Sequence, residues 1–212
     1  MDSGEPVTFR TGEVSAGGRR RAYREAGSGV ALVAVAAADG VTRAAELLAV
    51  RHRVIAFTAD MMAPDAAPGI ADAAAALDLA HYDLLGQGTA SRVALRIALE
   101  PGTRARSLIL LGPTLIAPDG TPADAADAAL VGRLGELAVP TLAVFGTRDQ
   151  AAPIEAARHY RARMPGCNLV YVYDAGAAMA DERPEAVAAL IADFLERHDL
   201  FLVRRDSDVI YP

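Results

Sequence analysis

The chain reads Leu84-Leu85-Gly86-Gln87-Gly88-Thr89-Ala90-Ser91 between an apolar run and a helical stretch, and this segment decides the fold. Tyr82–Leu85 has the composition of a buried strand, and Val93–Ala98 has that of a helix. The two glycines therefore stand where a strand turns sharply into a helix. Glycine adopts the positive φ angle of such a turn at little steric cost. The segment predicts a strand–turn–helix unit.

On both sides of this unit, short apolar runs alternate with longer Ala/Leu-rich stretches. This alternation predicts the α/β class: a mainly parallel twisted sheet with helices on both faces. The runs are almost continuously apolar, as expected of strands covered on both faces. The predicted strands are Val30–Val35, Arg53–Phe57, Tyr82–Leu85, Ser107–Leu111, Thr141–Phe145 and Leu169–Tyr173, preceded by a hairpin or two edge strands at Val7–Val14 and Arg20–Glu25. The predicted helices are Val41–Val50, Ile70–Leu79, Thr89–Glu100, Pro122–Leu137, Pro153–Met164 and Pro184–His198.

The composition indicates one globular domain. The chain has 212 residues, of which 52% are hydrophobic and 23% charged, so it can bury a sizeable core. No repeat, long linker or composition break divides it, and we expect a single domain over residues 1–212, with a core at 20–198 and a tail at 199–212. The tail alternates weakly and is expected to add an edge strand or to dock on a neighbour. Met62–Gly69 is the candidate for a mobile loop.

Charge and cysteine content restrict the partners and the compartment. The formal net charge of −6 argues against nucleic acid, because proteins that bind phosphate backbones usually carry a basic surplus. Arg19-Arg20-Arg21 with Arg24 is a local exception, interpreted as a solvated hairpin face. The lone Cys167 allows no intramolecular disulfide. The first ten residues do not resemble a signal peptide, and no stretch is apolar enough to cross a bilayer. We expect a cytoplasmic protein with no membrane partner.

Several segments, in this order, resemble the α/β-hydrolase family of lipases, esterases and C–C hydrolases. The match covers roughly residues 20 to 198, and the segment at Leu84–Ser91 falls where the family carries its nucleophile elbow. The resemblance implies an α/β-hydrolase fold with no cap domain, since only one short helix fits between Gly112 and Pro140. The other matching segments are Tyr23–Gly29, Arg53–Phe57, Ser107–Gly112, Thr141–Asp149, the histidine-loop region Tyr171–Arg183 and the closing helix Pro184–Leu195.

The same resemblance shows where the chain departs from the family. The elbow normally reads Gly-x-nucleophile-x-Gly, and here Gly88 occupies the nucleophile position. The histidine position falls on Ala177, in Asp174-Ala175-Gly176-Ala177. The acid persists as Asp149. The His-Gly pair that usually follows the first parallel strand is absent and is replaced near Ala37.

A serine nucleophile needs an adjacent base, and the acid only orients that base. Without a hydroxyl or an imidazole, the resemblance implies a catalytically incomplete member of the family. The first hypothesis is a non-catalytic binding, scaffold or accessory subunit that requires no cofactor or metal. It would take a small-molecule ligand at a pocket formed by Ala37, Gly88, Thr89, Asp149 and Ala177, or a protein partner in a homodimer or heteromeric complex.

Two alternatives remain open. In the first, the chain is an active hydrolase or related enzyme acting on a small ester-like or carbonyl substrate, with Thr89 as the substitute nucleophile. The Thr89 hydroxyl is more often a helix cap, as is that of Ser91. In the second, Gly86–Ser91 is a nucleotide-binding glycine loop, although the third glycine is missing and Glu100 falls at a helix end.

The remaining polar groups have structural interpretations. His52 and His81 precede strands at the end of the sheet opposite the elbow, whereas His159 and His198 fall on helices and are interpreted as solvated. No pair of histidines has metal-ligand spacing. Asp149 is interpreted as binding backbone amides in its own loop, Asp174 as a loop cap and Cys167 as a buried or edge thiol.

Overall fold

The strands of this computed structural model form one sheet. The structure describes residues 7–36, 40–60, 63–198 and 201, and the backbone of 209–211. The strands are β1 (Arg10–Ala16), β2 (Arg19–Ala26), β3 (Ala31–Ala36), β4 (Arg53–Thr58), β5 (Tyr82–Gln87), β6 (Ala105–Leu111), β7 (Thr141–Gly146), β8 (Cys167–Val172) and β9 (Val209–Tyr211). Their order across the sheet is β1-β2-β4-β3-β5-β6-β7-β8-β9. Strand β2 pairs antiparallel with β1 and β4, and every other described pair is parallel.

Helices cover both faces of this sheet and confirm the predicted α/β class. The described helices are α1 (Arg43–Leu48), α2 (Ala66–Ala76), α3 (Ser91–Ala98), α4 (Ala128–Gly132), α5 (Ile154–Arg163), α6 (Met179–Glu182) and α7 (Pro184–Arg197). Helices α2 to α5 pack on one face, and α1, α6 and α7 pack on the other. Alternation along β3 shows the two layers, because Val33 and Val35 join the first core and Leu32 joins the second.

Two predicted helices differ from the observed ones. Pro122–Leu137 is not one helix: α4 is flanked by 3₁₀ turns at Ala125–Asp127 and Leu134–Glu136, and glycines at 132 and 135 weaken a continuous helix. Helix α2 begins four residues before the predicted Ile70. The predicted loop Met62–Gly69 is therefore wrong from Ala66 onward, and Met62 lies outside the described residues.

The tail adds an edge strand, which confirms the first of the two expectations for it. Strand β9 pairs in parallel with β8, with Val209 opposite Val170 and Tyr211 opposite Val172. The β1–β2 hairpin forms the other edge, in agreement with the prediction from its sequence. A membrane-spanning helix is not found: among the described residues no helix has the length and apolar character to cross a bilayer.

One arginine of the hairpin, Arg21, is not solvated as interpreted from sequence, whereas Arg19 and Arg20 are 70% and 78% exposed. Arg21 approaches Asp65 at 3.1 Å, and its side chain is 18% exposed. A Cβ at Gly69 would overlap the Arg21 guanidinium, so this arginine packs directly on α2. Arg19 also pairs with Asp65, which precedes the first turn of α2. The hairpin is thus tied to the helix layer by a shared carboxylate.

The buried hydroxyl of Tyr160 holds the loop that follows β6. It donates to Pro113 O at 2.9 Å and accepts from the backbone N–H groups of Leu115 and Ile116 at 2.8 and 3.0 Å. Burial raises the pKa of this phenol well above its ordinary value. The neutral hydroxyl therefore satisfies three backbone groups that have no access to water.

Replacement of this hydroxyl tests its structural role. We expect Tyr160→Phe to lower the free energy of unfolding by about 1–3 kcal/mol, because two buried donors and one acceptor lose their partner. The matched control is Tyr173→Phe, since Tyr173 is 58% exposed. Urea denaturation of the three proteins measures the difference. Equal midpoints for the two variants would show that the loop does not depend on Tyr160.

Candidate functional site

The turn at the end of β5 has the geometry of a nucleophile elbow. Gly86 lies so close to α3 that a Cβ there would come within 2.9 Å of Ala94 Cβ and of Ser91 Cα. Gly88 has a φ of 54°, in the left-handed region, and a Cβ there would meet no atom within 4 Å. The strand thus runs directly into the helix, and residue 88 projects into open space. This is the position from which a nucleophile would act.

The two hydroxyls beside Gly88 have different surroundings. Ser91 is buried, and its Oγ donates to Gly86 O at 3.2 Å, which confirms a structural role. Thr89 is exposed within a 3₁₀ turn at Gly88–Ala90, and neither this turn nor α3 has a side-chain cap. The predicted capping role of Thr89 is therefore wrong. The described residues place no histidine in hydrogen-bond contact with it.

The loop after β8 lies beside the elbow. Gln87 Nε2 donates to the backbone oxygen of Ala177 at 2.9 Å, so the nucleophile and histidine positions of the sequence frame are neighbours. Ala177 is exposed, and it presents a methyl group where a base would be needed. Two of the three predicted catalytic positions are thus neighbours, and neither Gly88 nor Ala177 has a side chain that can transfer a proton.

The third position, Asp149, is a buried carboxylate with a structural task. It is 5% exposed, and its Oδ1 accepts from the N–H groups of Ala151 at 2.8 Å and Ala152 at 3.0 Å. A Cβ at Gly112 would come within 2.7 Å of the other oxygen, so the carboxylate also packs against the end of β6. The interpretation that Asp149 binds backbone amides is confirmed.

Ala37, the remaining predicted pocket residue, lies outside the described residues. An apolar cavity of about 310 Å³ lies beneath α1, and its lining includes Ala36, Gly40 and Gln87. Gly88, Thr89, Asp149 and Ala177 do not contribute to that lining. This cavity is therefore displaced from the predicted catalytic positions toward the face of the sheet.

The histidines are remote from the elbow or engaged elsewhere. His52 and His81 precede β4 and β5, at the opposite end of the sheet, as predicted; burial is the main cause that lowers the pKa of His52. His159 bonds to Pro118 O at 3.1 Å. His198 is not solvated as interpreted, because its Nε2 lies 3.1 Å from the Oδ1 of the buried Asp83.

The contacts of Asp83 bring together the three residue types of a serine triad, but in the wrong order. Ser107 Oγ donates to Asp83 Oδ1 at 2.8 Å, and Arg106 pairs with Oδ2. The carboxylate therefore stands between the serine and His198, whereas catalysis requires the imidazole in the middle. This cluster ties the end of α7 to the sheet and does not form a second active site.

The Cys167 thiol and the Asp174 carboxylate are two further groups for which the sequence analysis gives a structural role. Burial raises the pKa of the Cys167 thiol to about 12, so the sulfur stays protonated at neutral pH and is a poor nucleophile. The Asp174 carboxylate pairs with Arg148 at 3.1 Å and does not cap the loop as predicted. Among the described ranges, no group of three or more His, Cys, Asp or Glu side chains is placed to hold a metal ion.

Comparison with solved structures identifies the fold. A serine hydrolase involved in carbazole degradation superposes with a TM-score of 0.75 over 89% of this chain and 99% of its own, at 17% identity. A predicted CIB-like hydrolase from Thermoplasma acidophilum gives 0.71, with 89% and 98% coverage and 19% identity. An enol-lactonase from Burkholderia xenovorans gives 0.72, with 87% and 100% coverage and 14% identity. The chain has the α/β-hydrolase fold. No family model and no curated protein sequence matches it.

The role of Asp149 can be tested with two substitutions. Asp149→Ala removes the acceptor of two backbone N–H groups and should lower the free energy of unfolding by about 1–3 kcal/mol. Asp149→Asn retains an oxygen that can accept from Ala151 and Ala152, and should lower it by less. Chemical denaturation measures both. An Asn variant as unstable as the Ala variant would contradict an amide-binding role.

Proposed function

We propose that this chain is a hydrolase-fold protein that has lost serine-hydrolase chemistry and acts by binding. The observation that carries the proposal is Gly88: the elbow is built, and the residue at its apex has no side chain. The protein then serves as a receptor for a small ligand or as an accessory subunit. The nature of its partner, a second copy or another protein, and a cytoplasmic location belong to the same proposal and rest on the sequence.

The neighbours of Gly88 support this proposal. Ala177 brings no base to the elbow, and the Asp149 carboxylate is directed to backbone amides. A serine protease that loses its triad is slowed about a million-fold, and retains only binding and oxyanion stabilisation. The backbone N–H of Thr89 offers at most one half of an oxyanion hole. Residual hydrolysis at this site should therefore be weak.

The experiment that tests the proposal is intact-mass analysis after incubation with a fluorophosphonate probe. We expect no adduct on this protein under conditions that fully label an active esterase. The exposed Thr89 is the alternative nucleophile, so Thr89→Val is prepared in parallel. A stoichiometric adduct that disappears in Thr89→Val would establish the active alternative and refute the proposal.

The same experiment can be repeated on a variant in which a serine and a histidine are introduced at the elbow. A Cβ at Gly88 would meet no atom within 4 Å, so we expect Gly88→Ser to fold. The left-handed backbone should lower its free energy of unfolding by about 1–2 kcal/mol. Ala177 is exposed and neighbours the elbow, so Ala177→His supplies an imidazole there. We expect the double variant Gly88→Ser, Ala177→His to be labelled faster than the parent protein. An adduct of equal yield on both proteins would show that the probe reacts away from the elbow.

A further inference from the structure

A trough of small side chains crosses the sheet on the α1 face. In the β2–β4 pair Arg24 lies opposite Ala56, and in the parallel β3–β4 pair Ala34 lies opposite Ala56. Directly paired residues share a face, so these three side chains form one row. The next row along β3 and β4 pairs Ala36 with Thr58. Methyl groups do not fill the space above the sheet, and the six-residue α1 is too short to cover all of it.

At one end the trough deepens into the apolar cavity beneath α1. Its volume of about 310 Å³ lies at the lower end of the range of small-molecule sites. The walls are aliphatic, with the sheet residues Leu32, Val54 and Leu85 below and Leu48 and Ile191 from the helices. Such walls suit a hydrocarbon chain, because they offer dispersion contacts and few hydrogen-bond partners.

At the other end the trough becomes cationic. A second space of about 450 Å³ is lined by Arg20, Arg24 and Thr58, and it shares Ala36, Gly40 and Ala56 with the apolar cavity. The two spaces therefore meet over the same three residues. Adjacent strands are about 4.8 Å apart, so the distance from β2 across β4 and β3 to β5 is roughly 14 Å.

The charges along the trough differ between its ends. Arg24 is exposed, and the described residues give it no ion pair or hydrogen bond. Arg20 pairs with Glu13 at 3.0 Å in an exposed contact, which is readily exchanged. Among the described residues that line the apolar cavity, the one acidic residue is Asp181, whose carboxylate accepts from Arg43 N at 2.9 Å near the start of α1. An anion is thus favoured at the hairpin end and disfavoured at the α1 end.

We propose that this trough binds an amphiphilic anion, a medium-chain carboxylate, with the hydrocarbon chain beneath α1 and the carboxylate at Arg24. The assignment goes beyond the loss of catalysis, because neither Gly88 nor Thr89 lines the cavity and Arg24 lies on β2, so the ligand would bind whether or not the elbow is inert. Apolar walls select the chain, and the Arg24 guanidinium, which has no ion pair with any described residue, selects the charged head group.

Binding is measured by isothermal titration calorimetry and by thermal stabilisation, with decanoate below its micelle concentration as the probe. Decanol has the same chain without the charge, and acetate has the charge without the chain. We expect saturable binding of decanoate at one site per chain, weaker binding of decanol and no detectable binding of acetate. A ligand that binds only the native state also raises the unfolding temperature.

Three substitutions locate the site. Arg24→Gln should weaken decanoate binding about threefold to tenfold and leave decanol binding unchanged, because a partly solvated charge-assisted contact is lost. Arg10→Gln is the matched control, since Arg10 is an exposed arginine of the same hairpin that does not line the trough. Ala56→Leu places a larger side chain where the two spaces meet and should abolish binding of both ligands.

The outcomes separate this inference from the loss of catalysis. No saturable decanoate binding, or equal weakening by Arg24→Gln and Arg10→Gln, would overturn the proposed site. Normal binding to an Ala56→Leu variant whose circular dichroism shows a retained fold would do the same. The fluorophosphonate experiment is unaffected by any of these results, because its readout is a covalent adduct.

Discussion

The contact between β5 and α3 at Gly86 is the constraint on which the elbow depends. Because residue 86 has no Cβ, α3 packs directly against the strand, with Ala94 and Ser91 within 3 Å of where that atom would be. The Ser91 hydroxyl closes the turn on Gly86 O. The chain must then reverse within three residues, and Gly88 takes the left-handed backbone that this reversal requires. None of these contacts involves a catalytic group, so the turn persists without a nucleophile.

This independence would allow the fold to persist after the loss of catalysis that we propose. A nucleophile in the left-handed region is strained, and glycine relieves that strain at the apex of the elbow. The carboxylate at the predicted acid position has a structural use, since Asp149 satisfies backbone amides in the loop after β7. A residue with two tasks stays useful when one of them is lost. The presence of the Asp149 carboxylate is therefore weak evidence for activity. Activity must be judged from the side chains that can transfer a proton.

The sequence predicts this fold where local signals agree. The apolar runs of β3 to β8 and the glycines of the elbow are local features, and both were located from sequence. Helix ends and polar partners depend on distant residues. Asp83 meets His198 across 115 positions, so the histidine interpreted as solvated is held by a buried carboxylate. Arg92 similarly makes a bidentate contact with Asp127, in the segment predicted as one continuous helix. Such pairs carry no periodic signal, which is why the sequence does not show them.

The position of a ligand site depends on which part of the sheet offers space and polar side chains. In α/β sheets, ligands usually bind outside the carboxyl ends of the strands. Here Gly88 and Ala177 contribute no reactive side chain to that edge. The α1 face of the same sheet has small residues at Ala34 and Ala56, and at the end of their row the Arg24 guanidinium, which has no ion pair with any described residue. The missing side chain at Gly88 and the space on the α1 face are separate features of the structure. The binding that we propose on that face therefore does not depend on whether the elbow is catalytic, and it would give the fold a function of its own.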